Sequence, residues 1–482
     1  MAARHVTPHL VMADAQGNIY DDPQLLMVCR RGAEWGLPRP DELIPLPEES
    51  EFFLLPGRRA VGLDPETGCM REPEGEAPLA VAAFAAPGHT LAAHPAYETE
   101  PGAPLLPLFA YGAVGFAHGR FYICARRVDD DPRQVFAHIP RKRIEQGARQ
   151  LLRDYPQNRL IGHILNNCVA RYDCPAARNF ALGRYEAPLP TSRTCNARCV
   201  GCISAQEAGS PIVATPQCRL EFTPSPEEVA QVMTIHAARE TRTPIYSFGQ
   251  GCEGDPLMNP DLLEASVRLF RTQGGEGTVN CNTNASRPDA VARLAQAGLT
   301  SLRVSLNSAR PEAYARYYRP TNYSLDDVRE AIRTGRRLGL WVSLNLLYFP
   351  GLTDTEAELE ALARLVGEDG VSMIQWRNLN IDPEWHCRRM CEPNPNQPPA
   401  SPATAAAVPA NAASPDAPGL PPDAAPPEPG MGLIRFMKRL KKSCPWLRYG
   451  YFNPYLGTQA AIAAPLPGQW QMPKPELEEG EE

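Results

Sequence analysis

Three cysteines close together in the chain have the spacing of a ligand set for an inorganic centre. Cys195, Cys199 and Cys202 form a CxxxCxxC pattern, which 14 cysteines in 482 residues would produce by chance only about 0.01 times per chain. Soft thiolates bind Zn, Cu(I) or iron–sulfur clusters, but a structural zinc or a closed cubane needs four protein ligands. Three thiolates therefore favour an iron–sulfur cubane with one iron open to an external ligand. Arg193 and Arg198 are expected to favour the thiolate forms.

Composition and charge narrow the function classes. The chain is 43% hydrophobic and 21% charged, with a net charge of -7, so its overall charge gives no reason to bind nucleic acid. It contains no apolar run long enough for a membrane span and begins without the apolar core of a signal peptide. We therefore expect a cytoplasmic protein without membrane association, whose cysteines are reduced and available for metal.

From about residue 188 onward, the pattern predicts strands separated by segments of helix length. After a first strand just before Cys195, the predicted strands are Ile245 to Phe248, Gly277 to Cys281, Leu302 to Leu306, Trp341 to Tyr348 and Val371 to Trp376. Six strands that alternate with helices predict an α/β fold with a parallel sheet and right-handed crossovers. In such folds the chemistry takes place at the carboxyl ends of the strands.

Helix start and stop signals support this alternation. Ser225-Pro226-Glu227-Glu228 combines an N-cap, a proline at the first helical position and a capping-box Glu. Variants of these start signals are Asn259-Pro260, Ser286-Arg287-Pro288 and Thr353 with Glu356. Gly274 and Gly298 are expected at the carboxyl ends of two helices.

Taken in order, these segments resemble the radical S-adenosylmethionine (SAM) superfamily over residues 188–383. Residues 250–257, QGCEGDPL, are similar to the family segment that holds the SAM amino group, with Asp255 where Glu is usual. Residues 282–284, NTN, resemble the turn after the third strand. Residues 303–307, RVSLN, match the place on the fourth strand from which the SAM ribose and carboxylate are contacted.

The resemblance implies a set of cofactor ligands. Cys195, Cys199 and Cys202 would hold a 4Fe-4S cluster, whose open iron is chelated by SAM. The residues implied to bind SAM are Gly251, Glu253, Gly254, Asp255, Asn284, Ser305, Asn307 and Asn345. Gln375 and Arg377 are implied to face the same pocket, and no catalytic residue is assigned.

The implied chemistry is reductive cleavage of SAM. The reduced cluster would donate an electron, the sulfonium C–S bond would break, and the resulting 5′-deoxyadenosyl radical would abstract hydrogen from a substrate. The electron would come from a low-potential donor such as flavodoxin or ferredoxin. The substrate remains open among a peptide or protein, an RNA and a small molecule. The alternative is a non-catalytic zinc or iron–sulfur module that acts in scaffolding or electron transfer.

The expected organisation has five parts. A separate β-rich N-terminal domain, residues 1–135, is a candidate for substrate selection. Its apolar runs Leu106 to Phe116 and Arg120 to Ala125, joined at residues 117–119, predict a hairpin. A helical connector follows over 136–187, with helices expected at 140–153 and 157–168. Residues 188–391 are expected to form a partial (β/α)6 barrel of the radical SAM type. Residues 392–430 form a Pro- and Ala-rich segment with little to bury, which predicts a disordered linker. Residues 431–482 are expected to form a C-terminal helix and a tail.

Two features allow more than one interpretation. Cys168 and Cys174 precede the predicted barrel, and Cys387 and Cys391 follow it. They could form a second metal site, but their spacing matches no specific ligand pattern, so structural thiols are favoured. The predicted helix at 432–442 carries basic residues on its polar side, a pattern typical of a solvated face that also leaves RNA contact open.

Overall fold

The computed structural model describes residues 6–74, 78–212, 217–391, 428–458 and 462–473. In the described part of residues 6–127, the chain forms strands joined by turns. They are β1 His9–Ala13, β2 Ile19–Met27, β3 Cys29–Arg31, β4 Glu34–Gly36, β5 Leu43–Pro45, β6 Glu51–Ala60, β7 Gly62–Leu63, β8 Met70–Arg71, β9 Leu79–Phe84, β10 His89–Leu91, β11 His94–Pro95, β12 Tyr97–Thr99, β13 Gly112–Ala117 and β14 Arg120–Arg127. An antiparallel sheet contains most of them, and β11, β3 and β4 form a small second sheet.

The hairpin expected around residues 117–119 is present. β13 and β14 are antiparallel, with Ala117 opposite Arg120. The first strand is shorter than the apolar run from Leu106 to Phe116, because it begins only at Gly112. Pro107 has no N–H to give to a sheet.

Helices connect this β-rich region to the next sheet. They are α1 Arg141–Asp154, α2 Arg159–His163, a π-helix at Ile164–Val169 and α3 Pro175–Leu182. The helices predicted at 140–153 and 157–168 are confirmed, although the second changes to π geometry halfway. The short α3 was not predicted.

The second half of the chain forms a parallel sheet whose strands lie in sequence order. Its strands are β15 Glu186–Leu189, β16 Ile245–Phe248, β17 Thr278–Thr283, β18 Ser301–Leu306, β19 Trp341–Tyr348, β20 Met373–Asn378 and β21 Arg448–Gly450. The mixed α/β class is confirmed, and closure into a partial barrel stays a prediction. β21, which pairs in parallel with β20, is an addition to the six expected strands.

Helices follow the strands of this sheet. They are α4 Pro226–Arg239, α5 Pro260–Thr272, α6 Pro288–Ala297, α7 Pro311–Tyr318, α8 Leu325–Arg337, α9 Glu356–Asp369, α10 Pro383–Cys391 and α11 Leu433–Ser443. The capping box of Ser225 with Glu228 is confirmed. The start signal expected at Thr353 is wrong, because Thr355 caps α9 while the Thr353 hydroxyl accepts from the backbone N–H of Phe349.

The β-rich region and the parallel sheet are separate sheets with a shared boundary. Arg58 forms a buried ion pair with Asp382, 2.8 Å apart. The Leu91 N–H donates to the side-chain oxygen of Asn378 at the end of β20. Buried residues of both regions belong to one hydrophobic core. The domain boundaries stay predictions, but the N-terminal region packs directly against β20.

The C-terminal helix is confirmed as α11, with Leu433, Phe436 and Leu440 buried. Part of its basic side is used within the protein, because Arg439 pairs with Glu356. Residues 392–427 of the predicted linker and residues 474–482 of the predicted tail lie outside the described residues. Among the described helices, none combines the length and apolar character that a membrane span requires.

Candidate cofactor site

The three motif cysteines lie in a loop, residues 190–204, that leaves the carboxyl end of β15. We call this segment the cysteine loop. It is held from one side by the end of α7, because the Arg198 N–H donates to the Tyr318 carbonyl over 3.0 Å and the Val200 N–H donates to the Tyr317 carbonyl over 2.9 Å. The loop therefore takes its position from a segment more than a hundred residues later in the chain.

Glu253 holds the base of the cysteine loop. Its carboxylate accepts backbone N–H bonds from Thr191 and Ser192, both 2.6 Å long, and from Gly249, 2.7 Å long. Burial raises the pKa of Glu253 to about 7 despite these three donors. Because both oxygens are engaged with backbone, the structure assigns Glu253 to positioning the loop, which differs from the expected contact with SAM.

Gly254 allows two backbone segments to meet. A Cβ at this position would lie 2.0 Å from the Thr194 carbonyl oxygen, so a side chain would push the loops apart. The Gly254 N–H donates to Ser192 over 2.8 Å, and the Asp255 N–H donates to Thr194 over 2.9 Å. Gly251 is exposed with φ +86, and open space surrounds its Cβ position apart from Ile203. The turn needs glycine at Gly251, and the close approach needs it at Gly254.

Asp255 lies at the contact of β16, β17 and the cysteine loop. Its side chain accepts from the Leu257 N–H over 2.9 Å, from the Thr283 hydroxyl over 2.7 Å and from the Asn284 N–H over 2.7 Å. Burial raises its pKa. Its carboxylate also acts on the thiol of Cys195, since its charge is the second cause, after burial, that raises that pKa.

Asn284 links the end of β17 to the cysteine loop. Its amide donates to the side-chain oxygen of Asn196 over 2.8 Å and lies 4.0 Å from the Cys195 sulfur. Its own oxygen accepts from the Ser286 N–H over 3.0 Å. Asn284 is therefore placed beside a motif cysteine, as its predicted position in the site requires.

Two of the motif thiols, those of Cys195 and Cys199, are buried enough to resist ionisation. Burial raises the pKa of Cys195 to about 11. It raises that of Cys199 well above its usual range, and the negative charges of Cys202 and Cys195 add to the shift. The Cys199 thiol is thus affected by both of the other motif cysteines. Binding of a cationic iron centre would reverse this preference, because the metal stabilises the thiolates.

The arginine that faces these thiols is not one of the two predicted from the sequence. Arg198 pairs with Glu207 over 3.1 Å, and Arg193 is exposed. Instead, the Arg219 guanidinium lies 4.0 Å from the Cys202 sulfur and donates to Ser204 over 3.1 Å. Arg219 lies outside the motif, so spacing alone could not identify it.

The residues at the loop fit the implied cofactors in donor chemistry. Three soft sulfur donors share one buried loop, and a guanidinium offsets the charge of a thiolate cluster. Among the described residues, no three His, Cys, Asp or Glu side chains stand at the spacing that a single metal ion requires. The buried amide oxygen of Asn345, which has no hydrogen-bond partner among the described residues, favours a polar ligand at the site.

One face of the parallel sheet carries polar side chains from neighbouring strands. We call it the polar face and define it by Ser247, Asn280, Arg303, Asn345 and Gln375. Direct pairing in the sheet aligns Asn345 with Gln375 and with Ser305, so these side chains lie side by side. The sequence reasoning placed Ser305 and Asn345 together in the pocket, and the register brings them together.

Asn453 connects this face in a way that the sequence did not indicate. Its amide donates to Glu186 over 2.8 Å and to Ser247 over 3.2 Å. Its oxygen accepts from Gln375 over 3.1 Å and lies 3.5 Å from an Arg303 nitrogen. Asn453 follows β21 and belongs to no motif, so only the packing of the C-terminal segment reveals it.

Asn307 lies at the carboxyl end of β18, beside a cavity of about 180 Å³. Its amide donates to the Ala313 carbonyl over 3.2 Å, while its oxygen is buried without a partner. Leu347, Phe349 and His386 line the same cavity. Asn307 therefore lies at the expected edge of the sheet, but it faces a different space from Ser305 and from Asn345 of the polar face.

The other cysteines group differently from the pairs noted in the sequence. Cys168 and Cys174 are joined by a backbone hydrogen bond of 2.8 Å. The neighbouring Cys168 thiol, followed by burial, raises the pKa of Cys252 well above its usual range. Cys387 is buried in α10, and the side chain of Cys391 lies outside the described residues. A shared metal site for all four predicted cysteines stays untested.

Comparison with known proteins identifies the central part of the chain. Residues 189–366 match the family model described as the radical SAM superfamily. This match confirms the superfamily resemblance, and with it the 4Fe-4S cluster and SAM as the expected cofactors.

The solved structures that match this chain do so at low sequence identity and low TM-score. Native anSMEcpe with bound AdoMet is 14% identical, with a TM-score of 0.32, over 40% of this chain and 51% of that chain. The FeFe-hydrogenase maturase HydG from Carboxydothermus hydrogenoformans is 14% identical, with a TM-score of 0.32, over 52% and 66%. A radical SAM methyltransferase from Sphaerobacter thermophilus is 19% identical, with a TM-score of 0.28, over 37% and 51%. This chain thus spans about half to two thirds of the length of these structures.

Proposed function

Because the chain carries a radical SAM domain over residues 189–366, we propose that it is an enzyme that cleaves SAM reductively and removes a hydrogen atom from a substrate. The observation that carries this proposal is the cysteine loop, which holds three thiols at the carboxyl edge of a parallel sheet and whose Cys195 lies beside Asp255 and Asn284. When bound, the cluster and SAM supply the electron transfer and the C–S cleavage, which give methionine and, after hydrogen abstraction, 5′-deoxyadenosine.

We assign the cluster to Cys195, Cys199 and Cys202. Their thiols release protons when the metal binds, since thiolates are the ligands. Arg219 stabilises the thiolate of Cys202 from 4.0 Å. Glu253 keeps the loop in place through its three backbone hydrogen bonds.

We assign SAM to the space between the cysteine loop and the polar face. The charge of Asp255 acts on the Cys195 thiol, and its carboxylate, which accepts three hydrogen bonds, has acceptor capacity left for one more. Asp255 is therefore our candidate for the SAM ammonium group. Ser305 and Asn345 offer hydrogen-bonding groups on the adjoining strands, and the unpaired oxygen of Asn345 has no protein donor. Asn307 is the less favoured contact because it faces the separate cavity.

The substrate is expected to reach the polar face from the side of the N-terminal region. This region packs on β20, the strand that carries Gln375 and Arg377. A low-potential donor such as flavodoxin or ferredoxin would supply the electron. The choice among peptide, RNA and small molecule stays open in this proposal, and so does the cytoplasmic location.

The test is anaerobic reconstitution followed by reduction in the presence of SAM. We expect about four iron and four sulfide per chain and SAM-dependent 5′-deoxyadenosine in the wild type. Cys199→Ala should lose both, whereas Cys69→Ala, at an exposed cysteine, should keep both. Stoichiometric zinc without a cluster, or a cluster without 5′-deoxyadenosine, would instead support the non-catalytic module.

Deuterated candidate substrates extend the same assay. Transfer of deuterium into 5′-deoxyadenosine identifies the molecule from which hydrogen is taken. A peptide, an RNA and a small-molecule pool are tested separately, so a positive result also selects the substrate class.

A further inference from the structure

Two arginines bring positive charge to the polar face. Arg303 lies on β18, and its guanidinium donates to the side-chain oxygen of Gln375 over 3.0 Å. Arg377 is two residues beyond Gln375 on β20, so it points to the same side of the strand. Both arginines keep partial exposure, whereas the intervening Val304 and Trp376 are fully buried. Solvent therefore reaches the space into which the arginines point.

Neither arginine has a carboxylate partner among the described residues. Arg303 contacts only neutral amide oxygens, and its Nε–H is buried without an acceptor. Arg377 donates to the Tyr451 carbonyl over 3.1 Å and stacks on the Tyr451 ring, 3.8 Å from its centre. The protein thus fixes both guanidinium groups but leaves their charges unpaired.

The nearest acid does not neutralise this pair. Glu186 accepts from Asn453 over 2.8 Å and from Gln250 over 3.1 Å. Its second oxygen lies 3.8 Å from a nitrogen of Arg133, so its charge is already shared with another arginine. Burial, followed by the charge of Arg377, lowers the pKa of Arg303 to about 9. A partly buried cation beside a second cation is costly unless an anion joins them.

We propose that Arg303 and Arg377 form a subsite for an anionic oxygen group of the substrate, a carboxylate or a phosphate. A guanidinium group matches both anions with two parallel N–H bonds. The inference rests on the proposed function, because it treats the polar face as the substrate side of a SAM-cleaving site. It narrows the substrate class to molecules that carry an anionic group near the carbon that loses hydrogen.

Arg303 extends this subsite below the level of the proposed SAM site. Arg303 is level with Asn282 and Ser343 in the sheet, three residues before the end of β18 at Leu306. With a rise of about 3.3 Å per residue, it lies roughly 10 Å below the carboxyl edge. Arg377 is level with Leu347, one residue beyond the pairing of Leu306 with Leu346, so it lies at the carboxyl edge. SAM is assigned to that edge beside the cysteine loop, and the anion is assigned to the space between Arg377 and the deeper Arg303.

Anion binding to the cluster-loaded full chain tests the subsite. We would titrate malonate and inorganic phosphate by anaerobic calorimetry at constant ionic strength, with neutral malonamide as the control probe. At least one of the two anions should bind to the wild type, and malonamide should not. Arg303→Gln should weaken that binding by roughly 10-fold or more, because a charge-assisted bond is lost.

Two further variants keep the test independent of folding defects. Arg377→Gln should weaken the same anion in the same direction. Arg268→Gln, at a half-exposed arginine on α5 that pairs with Glu264, should leave the affinity within about 2-fold, since surface pairs contribute little. A rise in the thermal midpoint of the wild type with the bound anion, absent in both polar-face variants, would support the result without calorimetry.

Three outcomes would overturn the subsite: no binding of either anion, equal affinity in all variants, or complete competition by SAM. The last result would assign the arginines to the SAM carboxylate. The 5′-deoxyadenosine assay on the same wild-type preparation separates the two proposals. Anion binding without 5′-deoxyadenosine would reject the proposed function. Formation of 5′-deoxyadenosine with anion binding that ignores Arg303 would reject only the subsite.

Discussion

The cysteine loop and the polar face differ in how their charged side chains are bonded. At the loop, Glu253 and Asp255 each accept three hydrogen bonds from the protein. On the polar face, Arg303 has two neutral amide oxygens nearby and an orphaned N–H. Arg377 has a single backbone acceptor, the Tyr451 carbonyl.

This difference separates what the protein completes from what it leaves open. A fully bonded carboxylate fixes its neighbours, because breaking any of its bonds leaves a buried group unsatisfied. A fixed cation without a counter-ion is stabilised most when an anionic ligand binds to it. At the cysteine loop the carboxylates are thus hydrogen-bonded before any ligand binds, whereas the fixed arginines of the polar face remain without a counter-ion among the described residues.

The largest expected effect is loss of the cluster. Cys195→Ala, Cys199→Ala or Cys202→Ala should each abolish iron and sulfide retention, because two protein thiolates do not hold the cubane. Iron and sulfide analysis with visible absorption measures this effect. Cys218→Ala, at an exposed cysteine outside the motif, is the matched control. Retention of a full cluster in any motif variant would remove that cysteine from the ligand set.

Removing the loop anchor should come next. Glu253→Ala leaves the buried N–H groups of Thr191 and Ser192 and the partly buried N–H of Gly249 without this acceptor. Each buried group costs about 1–3 kcal/mol, a large share of a typical folding free energy of about 5–15 kcal/mol. We expect a lower thermal midpoint and weaker cluster loading. Glu145→Ala, on the surface of α1, should change stability by less than about 0.5 kcal/mol. A Glu253→Ala protein as stable as this control would contradict the anchoring role.

Glu358 provides a pH test of a buried carboxylate with fewer bonds. Burial raises its pKa to about 7 from 4.5, and its side-chain partner is the Ser308 hydroxyl. Because the pKa is higher in the folded than in the unfolded state, protonated Glu358 stabilises the folded protein. This stabilisation, roughly 3 kcal/mol, is fully present below about pH 4.5 and is lost as pH rises through about 7. Glu358→Gln should therefore gain stability relative to the wild type as pH rises from 4.5 to 7. If the thermal midpoints of the wild type and Glu358→Gln change in parallel across this pH window, the raised pKa of Glu358 is contradicted.

Asp255 tests the cofactor side for SAM itself. If its carboxylate binds the SAM ammonium, Asp255→Ala should weaken SAM binding by roughly 10- to 150-fold, and Asp255→Glu should keep more affinity. Thr283→Val removes one hydrogen bond to Asp255 and controls for damage to the turn. Titration of SAM into reduced, cluster-loaded variants measures the effect. Equal affinities for Asp255→Ala and Thr283→Val would leave Asp255 as a turn cap only.

The smallest effect is expected from the Pro- and Ala-rich segment. Its composition offers little to bury, so replacing residues 395–426 by a Gly/Ser segment of equal length should leave cluster content and SAM cleavage essentially unchanged. A loss of folded, cluster-containing protein would show that the segment contributes to the structure.

The sequence predicted the parts of this molecule that local rules determine. Apolar runs and caps located β16 to β20 and the start of α4, and cysteine spacing located the cysteine loop. It could not predict β21, because three residues beyond a long Pro-rich segment carry no periodic signal. It also failed to separate Glu253 from Asp255, since two carboxylates in one loop look alike until the backbone shows which one faces which donors.

Long-range packing determined the remaining site residues. Arg219 and Asn453 reach the site from segments without a motif. Their roles depend on where those segments pack, which single-sequence patterns do not encode. The unpaired state of Arg303 likewise follows from which side chains are absent around it, and only a three-dimensional description reveals this.

The anchors of the cysteine loop also determine when it can take shape. All of the anchors described here are made after the loop, since Glu253, Asn284, Tyr317 and Tyr318 follow it in the chain. At about 5–20 residues per second of synthesis, the last of these emerges roughly 6–23 s after Cys202. During that interval the three thiols lie in a segment of the nascent chain whose hydrogen-bonding partners are not all synthesised. Cluster delivery in the cell is therefore expected to follow synthesis of α7, and a ribosome-bound chain stalled before Tyr317 should fail to retain iron.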